Sequence, residues 1–403
     1  MKKIFPFLVF ILLFSSNVFA VNEIKVGALL SLTGDWSSLG QTSKAAIELA
    51  VSDINKFYQS IGSNTKISLR IEDTKLDPQT AYEKLQQLNK AGYKIIIGPQ
   101  SSAEILGLKK YADENGILII SMGSTASNLS TPNDNIFRMC PDDFQEAKAI
   151  VSLIQDDGIK YIIPVYRLDI GNEGLYKSVY DVANEEKLFL TEPVSYTADA
   201  TQFANVLELV KNKITEATSK FPLAQVGIYL AAFDENMELF REASTIPELS
   251  RVKWYGSDGA ALSNVLISNS VASDFAIKAD YPCPIFGLDN NASEKWMPVK
   301  RAVQDMTGIE PDAFALSAYD AMWLIITAQT MNNFSGDINK IKSSLIQSAS
   351  NYYGLTGWTH FNAAGDRQFG NFDYWIVKKN DDGTYSWVKV ESYNGMSGDI
   401  IGN

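Results

Sequence analysis

The stretch Ile24-Lys25-Val26-Gly27-Ala28-Leu29-Leu30, followed by Thr33-Gly34-Asp35-Trp36-Ser37-Ser38-Leu39-Gly40 and then by an amphipathic run over 41–58, decides the fold. A short apolar run, a loop of glycine and hydroxyl residues and a stretch of helical period make one strand–loop–helix unit. Reading outward, the unit recurs. Strands are expected at 66–71, 94–98 and 117–121, with helices at 78–90 and 103–114 between them. After Phe137-Arg138 the alternation starts afresh, with strands at 161–166, 192–196, 226–230 and 252–255 and helices near 143–156, 174–186, 202–217 and 235–245. Such alternation is the pattern of a parallel sheet covered by helices on both faces, and two successive runs imply two doubly wound α/β lobes. From Tyr281 the pattern turns helical, near 293–307, 313–332 and 337–350, and the tail holds strands at 372–377 and 387–390 around the turn Asn380-Asp381-Asp382-Gly383. No flexible linker separates the runs, so the lobes are expected to be joined by several short crossings that act as a hinge.

At the beginning of the chain, Met1-Lys2-Lys3, an apolar run over 4–14 and Val18-Phe19-Ala20 read as a secretory signal peptide of residues 1–20, cut after Ala20. No cysteine stands at the cut, so no lipid anchor is expected, and the mature chain is expected in the periplasm or outside the cell. It would keep about 380 residues, enough for two domains with cores of their own. The formal charge of −12 opposes binding to phosphate backbones, so nucleic acid is not an expected partner. One histidine, His360, and two cysteines are too little for a metal site, and no cofactor motif is present.

In doubly wound sheets, ligands gather at the carboxyl ends of the strands, so the loops there carry the functional reading. In the first lobe these are 33–40, then Pro99-Gln100-Ser101-Ser102, then Met122-Gly123-Ser124-Thr125. Hydroxyls and backbone N–H groups at helix N-termini can hold a carboxylate without lysine or arginine. Any one such loop is better explained by helix capping, but three at one sheet edge reverse that preference. In the second lobe the loops are Arg167-Leu168-Asp169-Ile170-Gly171, Ala231-Ala232-Phe233-Asp234 and Ser257-Asp258-Gly259. Asp258 could accept hydrogen bonds from an ammonium group, or simply cap the next helix. Trp36 and Phe233 could wall an apolar side chain.

These loops resemble the type I periplasmic binding proteins of ABC importers, in particular the leucine/isoleucine/valine-binding family. The resemblance rests on Ile24-Lys25-Val26-Gly27 with Leu32-Thr33-Gly34 and Gly40; Ile97-Gly98-Pro99 with Ser102; Gly116-Ile117 through Ser121; and Phe137-Arg138 with Pro141 and Asp143. Ala318-Tyr319-Asp320-Ala321, then 353–357 with Phe361 and Gly365-Asp366, continue it to near the end. It implies that Ser102, Gly123 and Thr125, with Ser124 in the same loop, hold a ligand carboxylate. It also implies that Asp258 meets the ammonium and that Phe233 is an aromatic wall. Ile170 stands where many members have an aromatic residue, and Leu39 replaces a common tyrosine, so the pocket is less aromatic than usual. The lobes implied are 21–139 plus 282–355 and 140–281 plus 356–403, joined by a three-crossing hinge. The resemblance puts Cys140 at the first crossing and Cys283 falls at the second; side-by-side crossings would allow a disulfide between them.

The expected function is a monomeric receptor that captures a small solute, an amino acid first, and delivers it to an ABC-importer permease. A sensory subunit for a membrane receptor, or a binder of amides or aromatic compounds, is the alternative. A secreted hydrolase is disfavoured, since the chain has no nucleophile elbow, phosphate loop or metal cluster.

Overall fold

The computed structural model describes residues 22–402; the expected signal peptide and its cut lie outside them. In chain order the first lobe opens with β1 (Glu23–Leu30), α1 (Ser37–Ser60), β2 (Lys66–Asp73), α2 (Pro78–Lys90), β3 (Ile95–Ile97), α3 (Ser102–Asn115), β4 (Leu118–Ser121) and β5 (Ile136–Arg138). The five strands run parallel in the order β2-β1-β3-β4-β5. The second run holds α4 (Asp143–Asp156), β6 (Tyr161–Leu168), α5 (Ile170–Glu185), β7 (Phe189–Leu190), β8 (Val194–Thr197), α6 (Ala204–Thr218), β9 (Val226–Ala231), α7 (Asn236–Ala243) and β10 (Lys253–Tyr255). Here β10, β9, β6 and β7 lie in that order, and β8 also pairs with β6, all parallel. Two doubly wound lobes are therefore present, as expected.

Beyond them come α8 (Asn264–Ile267), α9 (Ser270–Lys278), β11 (Cys283–Phe286), α10 (Ser293–Thr307), α11 (Ala313–Met331) and α12 (Ile338–Ala349). The chain ends with β12 (Tyr353–Gly354), β13 (Gly357–Trp358), β14 (Phe372–Lys379), β15 (Tyr385–Tyr393) and β16 (Ile400–Gly402). α11 is buried nearly all round, from Ala313 to Gln329, which fits its weakly amphipathic sequence. It packs with Ile47, Ala50 and Ile54 of α1 in the first-lobe core, while its first turn, Ala313 to Ala315, joins the second-lobe core. The last strands form an antiparallel sheet, β11-β14-β15-β16.

The chain passes between the two cores three times. Met139 belongs to the first core and Cys140 to the second; Phe286 belongs to the second and Val303 to the first; Phe361 packs on Phe137 in the first, 5.2 Å between rings, and β14 starts in the second-lobe part. The expected disulfide is not formed: Cys140 and Cys283 are free and buried. Its premise was that the two crossings pair with each other. Instead Cys283 lies opposite Trp375 of β14, whereas Cys140 follows β5, which pairs with β4 and bridges through Arg138 to Asp366. The Cys140 thiol donates to the Ser124 carbonyl at 3.4 Å, and the Cys283 sulfur packs against Gly256, where any Cβ would lie 2.3 Å from it.

Candidate functional site

The carboxyl ends of β1, β3 and β4 face those of β6, β9 and β10 across a cleft, and this places the expected loops opposite each other. The first-lobe side is held by buried polar contacts. The Ser31 N–H donates to Gln100 Oε1 at 2.6 Å, and Gln100 Nε2 donates to the Trp36 carbonyl at 3.2 Å, so one side chain ties the loops after β1 and β3 together. Gly40 lets α1 come down onto that turn, since a Cβ there would sit 1.8 Å from the Ser31 carbonyl oxygen. Ser101 caps α3 with a reciprocal Glu104 contact, and the Ser121 hydroxyl accepts the Ser124 N–H at 3.0 Å, which shapes the loop after β4.

Six of the eight expected ligand residues line one cleft: Trp36, Ser102, Gly123, Thr125, Phe233 and Asp258. Two do not. Ser124 is fully buried beneath it, its hydroxyl 2.9 Å from that of Ser102. Ile170 heads α5 and packs against the first-lobe cluster containing Ile105 and Ala126, so the aromatic-to-aliphatic change at this position falls on a lobe contact and not on the cleft lining. Ser101 of the first lobe and Asp169, Gly171, Asn172 and Leu175 of the second complete the lining, and none of them was singled out from sequence as a contact. Asp169 is also the N-cap of α5, the role expected of an Asp in such a loop, and its carboxylate accepts the Asn172 N–H at 2.9 Å.

Besides Ile170, the lobes also touch around this cleft through further contacts. The Trp36 ring tilts over Phe233 with centroids 4.8 Å apart. The Asn264 N–H donates to Ser38 Oγ at 3.1 Å. Arg167 Nη1 donates to Asp35 Oδ2 of the first lobe at 2.8 Å and to Glu235 Oε2 at 3.3 Å, with its guanidinium 5.2 Å from the Phe233 ring centre. Burial works against the charge of Arg167, but Glu235, Asp169 and Asp35 hold its pKa above the ordinary value.

The cleft is acidic where Asp258 lines it. Asp258 accepts the Gly259 N–H on Oδ1 at 2.7 Å, and burial, reinforced by Asp312, pushes its carboxyl up to about 7. Beneath it, burial pushes Asp143 up to about 7 as well, with Asp258 adding to the rise. The Thr125 hydroxyl eases that rise, although neither Asp143 oxygen has a hydrogen bond of ordinary geometry. Glu146 lies beside Asp258 and was missed from sequence. Chemically the cleft brings together hydroxyls and backbone N–H groups that can serve an anion, carboxyls that can serve a cation, and the rings of Trp36 and Phe233.

The profile of the family described as "receptor family ligand binding region" matches residues 42–380. An uncharacterized protein of Methanocaldococcus jannaschii is 27% identical over 396 residues, covering 94% of this chain and 91% of that protein. Among solved structures, the substrate-binding protein LivJ of Streptococcus pneumoniae in complex with isoleucine superposes with a TM-score of 0.70 at 19% identity, over 91% of this chain and 100% of that one. A solute-binding protein from R. palustris in complex with benzoate gives 0.72 at 18% identity, over 91% and 96%.

Proposed function

The chain belongs to the receptor family ligand binding region family and has the two lobes of a type I periplasmic binding protein, and from that premise we propose that it captures an α-amino acid between its lobes. The observation that carries this reading is the composition of one cleft, whose lining brings Ser102, Gly123 and Thr125 of the first lobe together with the buried carboxyl of Asp258 from the second. A free carboxylate and a free ammonium on one carbon answer both kinds of group at once. We place the protein outside the cytoplasm, exported by the leader at 1–20, as a monomer that hands its ligand to an ABC-importer permease. The lobes are taken as 21–139 plus 282–355 and 140–281 plus 356–403.

A second reading, a small aromatic acid, is favoured by the Trp36–Phe233 pair and by the benzoate complex of a structural neighbour. It leaves Asp258 without a cation, which is why the amino acid is preferred. A thermal-shift screen separates the two, because a ligand that binds only the native state raises its melting temperature. L-Isoleucine, L-leucine or another free amino acid should stabilise and benzoate should not. Stabilisation by benzoate alone would exchange the readings, and stabilisation by neither class would reject both.

A further inference from the structure

Two buried carboxyl groups meet at the acidic end of the cleft. Glu146, in the first turn of α4, accepts the Asp258 N–H on Oε1 at 3.0 Å, and its other oxygen, Oε2, is buried without a hydrogen-bond partner. Glu146 is 1% and Asp258 6% exposed, and their carboxyl groups lie within hydrogen-bonding reach of each other. The titratable groups facing them offer no free cation among the described residues. Asp143 comes from the same helix, Tyr229 from β9, Cys283 from β11, and Asp312, which faces Asp258, from the start of α11. Arg138 of β5 lies toward Asp143, and it is paired with Asp366.

We propose that Glu146 and Asp258 hold one proton between them in the ligand-free protein, and that a ligand ammonium expels it, which makes Glu146 a specificity-determining residue of the cation end. The inference rests on the amino-acid reading of the cleft. Two carboxylates side by side in a dry site cannot both stay charged, so one keeps its proton. Burial, with Asp258 and Asp143 adding to it, pushes Glu146 well above the ordinary carboxylate range. The pair then carries a single negative charge at neutral pH. When a primary ammonium enters, the shared proton leaves to water and both carboxyls become anionic around the cation, so charge is conserved. A neutral group at that position could not drive the proton out, and the pair would select for a ligand that brings a positive charge.

Two measurements on the full mature chain test this. In the ligand-free protein, carboxyl carbon-13 spectra should show a coupled Asp–Glu pair titrating above pH 6, and Glu146→Gln, which keeps an acceptor for the Asp258 N–H, should abolish the coupled step. Calorimetry with L-isoleucine at pH 7 in phosphate and in Tris should reveal release approaching one proton per ligand, falling toward zero in Glu146→Gln. Wild-type affinity should then rise about tenfold per pH unit below the pair's upper titration, and the variant should flatten that slope. Ordinary titration of Glu146 near pH 4–5, or isoleucine binding without proton release, would overturn the proposal. A coupled titration in a protein that binds no amino acid would keep the shared proton and remove the amino-acid reading.

Discussion

Replacing Asp258 with Ala takes away one partner of a buried charge pair, and the expected loss is about 2 to 5 kcal/mol of amino-acid affinity, measured by calorimetry, with the fold retained. Unchanged affinity would reduce Asp258 to a turn-forming residue. Ser102 behaves differently from what a bare hydroxyl donor would, because its Oγ already accepts the Ala126 N–H at 3.2 Å and meets Ser124. Ser102→Ala should therefore lower both affinity and melting temperature, each modestly, at about 1 to 3 kcal/mol for a buried hydrogen bond left unmade. A second residue-scale effect concerns pH. Burial pushes the Asp143 carboxyl from the ordinary carboxylate range up to about 7, so the stability tied to its protonated form is complete below about pH 4 and is lost as pH rises toward 7. The melting temperature of ligand-free protein should fall between about pH 4 and 7, and Asp143→Asn should flatten part of that fall. A melting temperature rising over this window in wild type would contradict the assignment.

Among the elements, α1 owes its seat to one missing side chain. A Cβ at Gly40 would lie 1.8 Å from the Ser31 carbonyl oxygen and 3.0 Å from Gln100 Oε1, so Gly40→Ala must push the helix start off the loop that carries Trp36. A loss of about 1 to 3 kcal/mol in denaturant unfolding is expected, as for other overpacked sites, together with weaker binding. The regular elements were the legible part of the sequence: 78–90, 143–156 and 293–307 stand as helices with the bounds that periodicity implied. β11 was passed over because Pro284 interrupts it, which a strand tolerates at the edge of a sheet, where β11 sits. The acidic end of the site was half legible. Asp258 stood out as a carboxylate after a strand, whereas Glu146 lies 112 residues away on another helix, and only tertiary packing brings them together. The loops pointed to six of the lining residues but wrongly added Ile170 and Ser124, since which way a loop residue turns is decided by the lobe packed against it.

For the whole molecule, the contacts of Trp36 with Phe233, Asn264 with Ser38 and Arg167 with Asp35 describe lobes closed on one another. The ion pair is half-exposed on the Asp35 side, at 40%, and is expected to add under about 1 kcal/mol, so it biases closure without locking it. Asp35→Asn should therefore widen the difference in radius of gyration between ligand-free and ligand-loaded protein in solution scattering, and identical profiles with and without saturating ligand would count against a moving hinge. The untied Cys140 and Cys283 give that motion a chemical clock. A thiol this deeply covered, 1% and 0% exposed, reacts only in molecules that have opened around it, so its alkylation rate counts openings. If the lobes and the crossings loosen together, a bound ligand should slow labelling of both sulfurs in proportion to the stability it adds. Equal rates with and without ligand would mean that this corner breathes independently of the cleft, and that capture and release leave the crossings at rest.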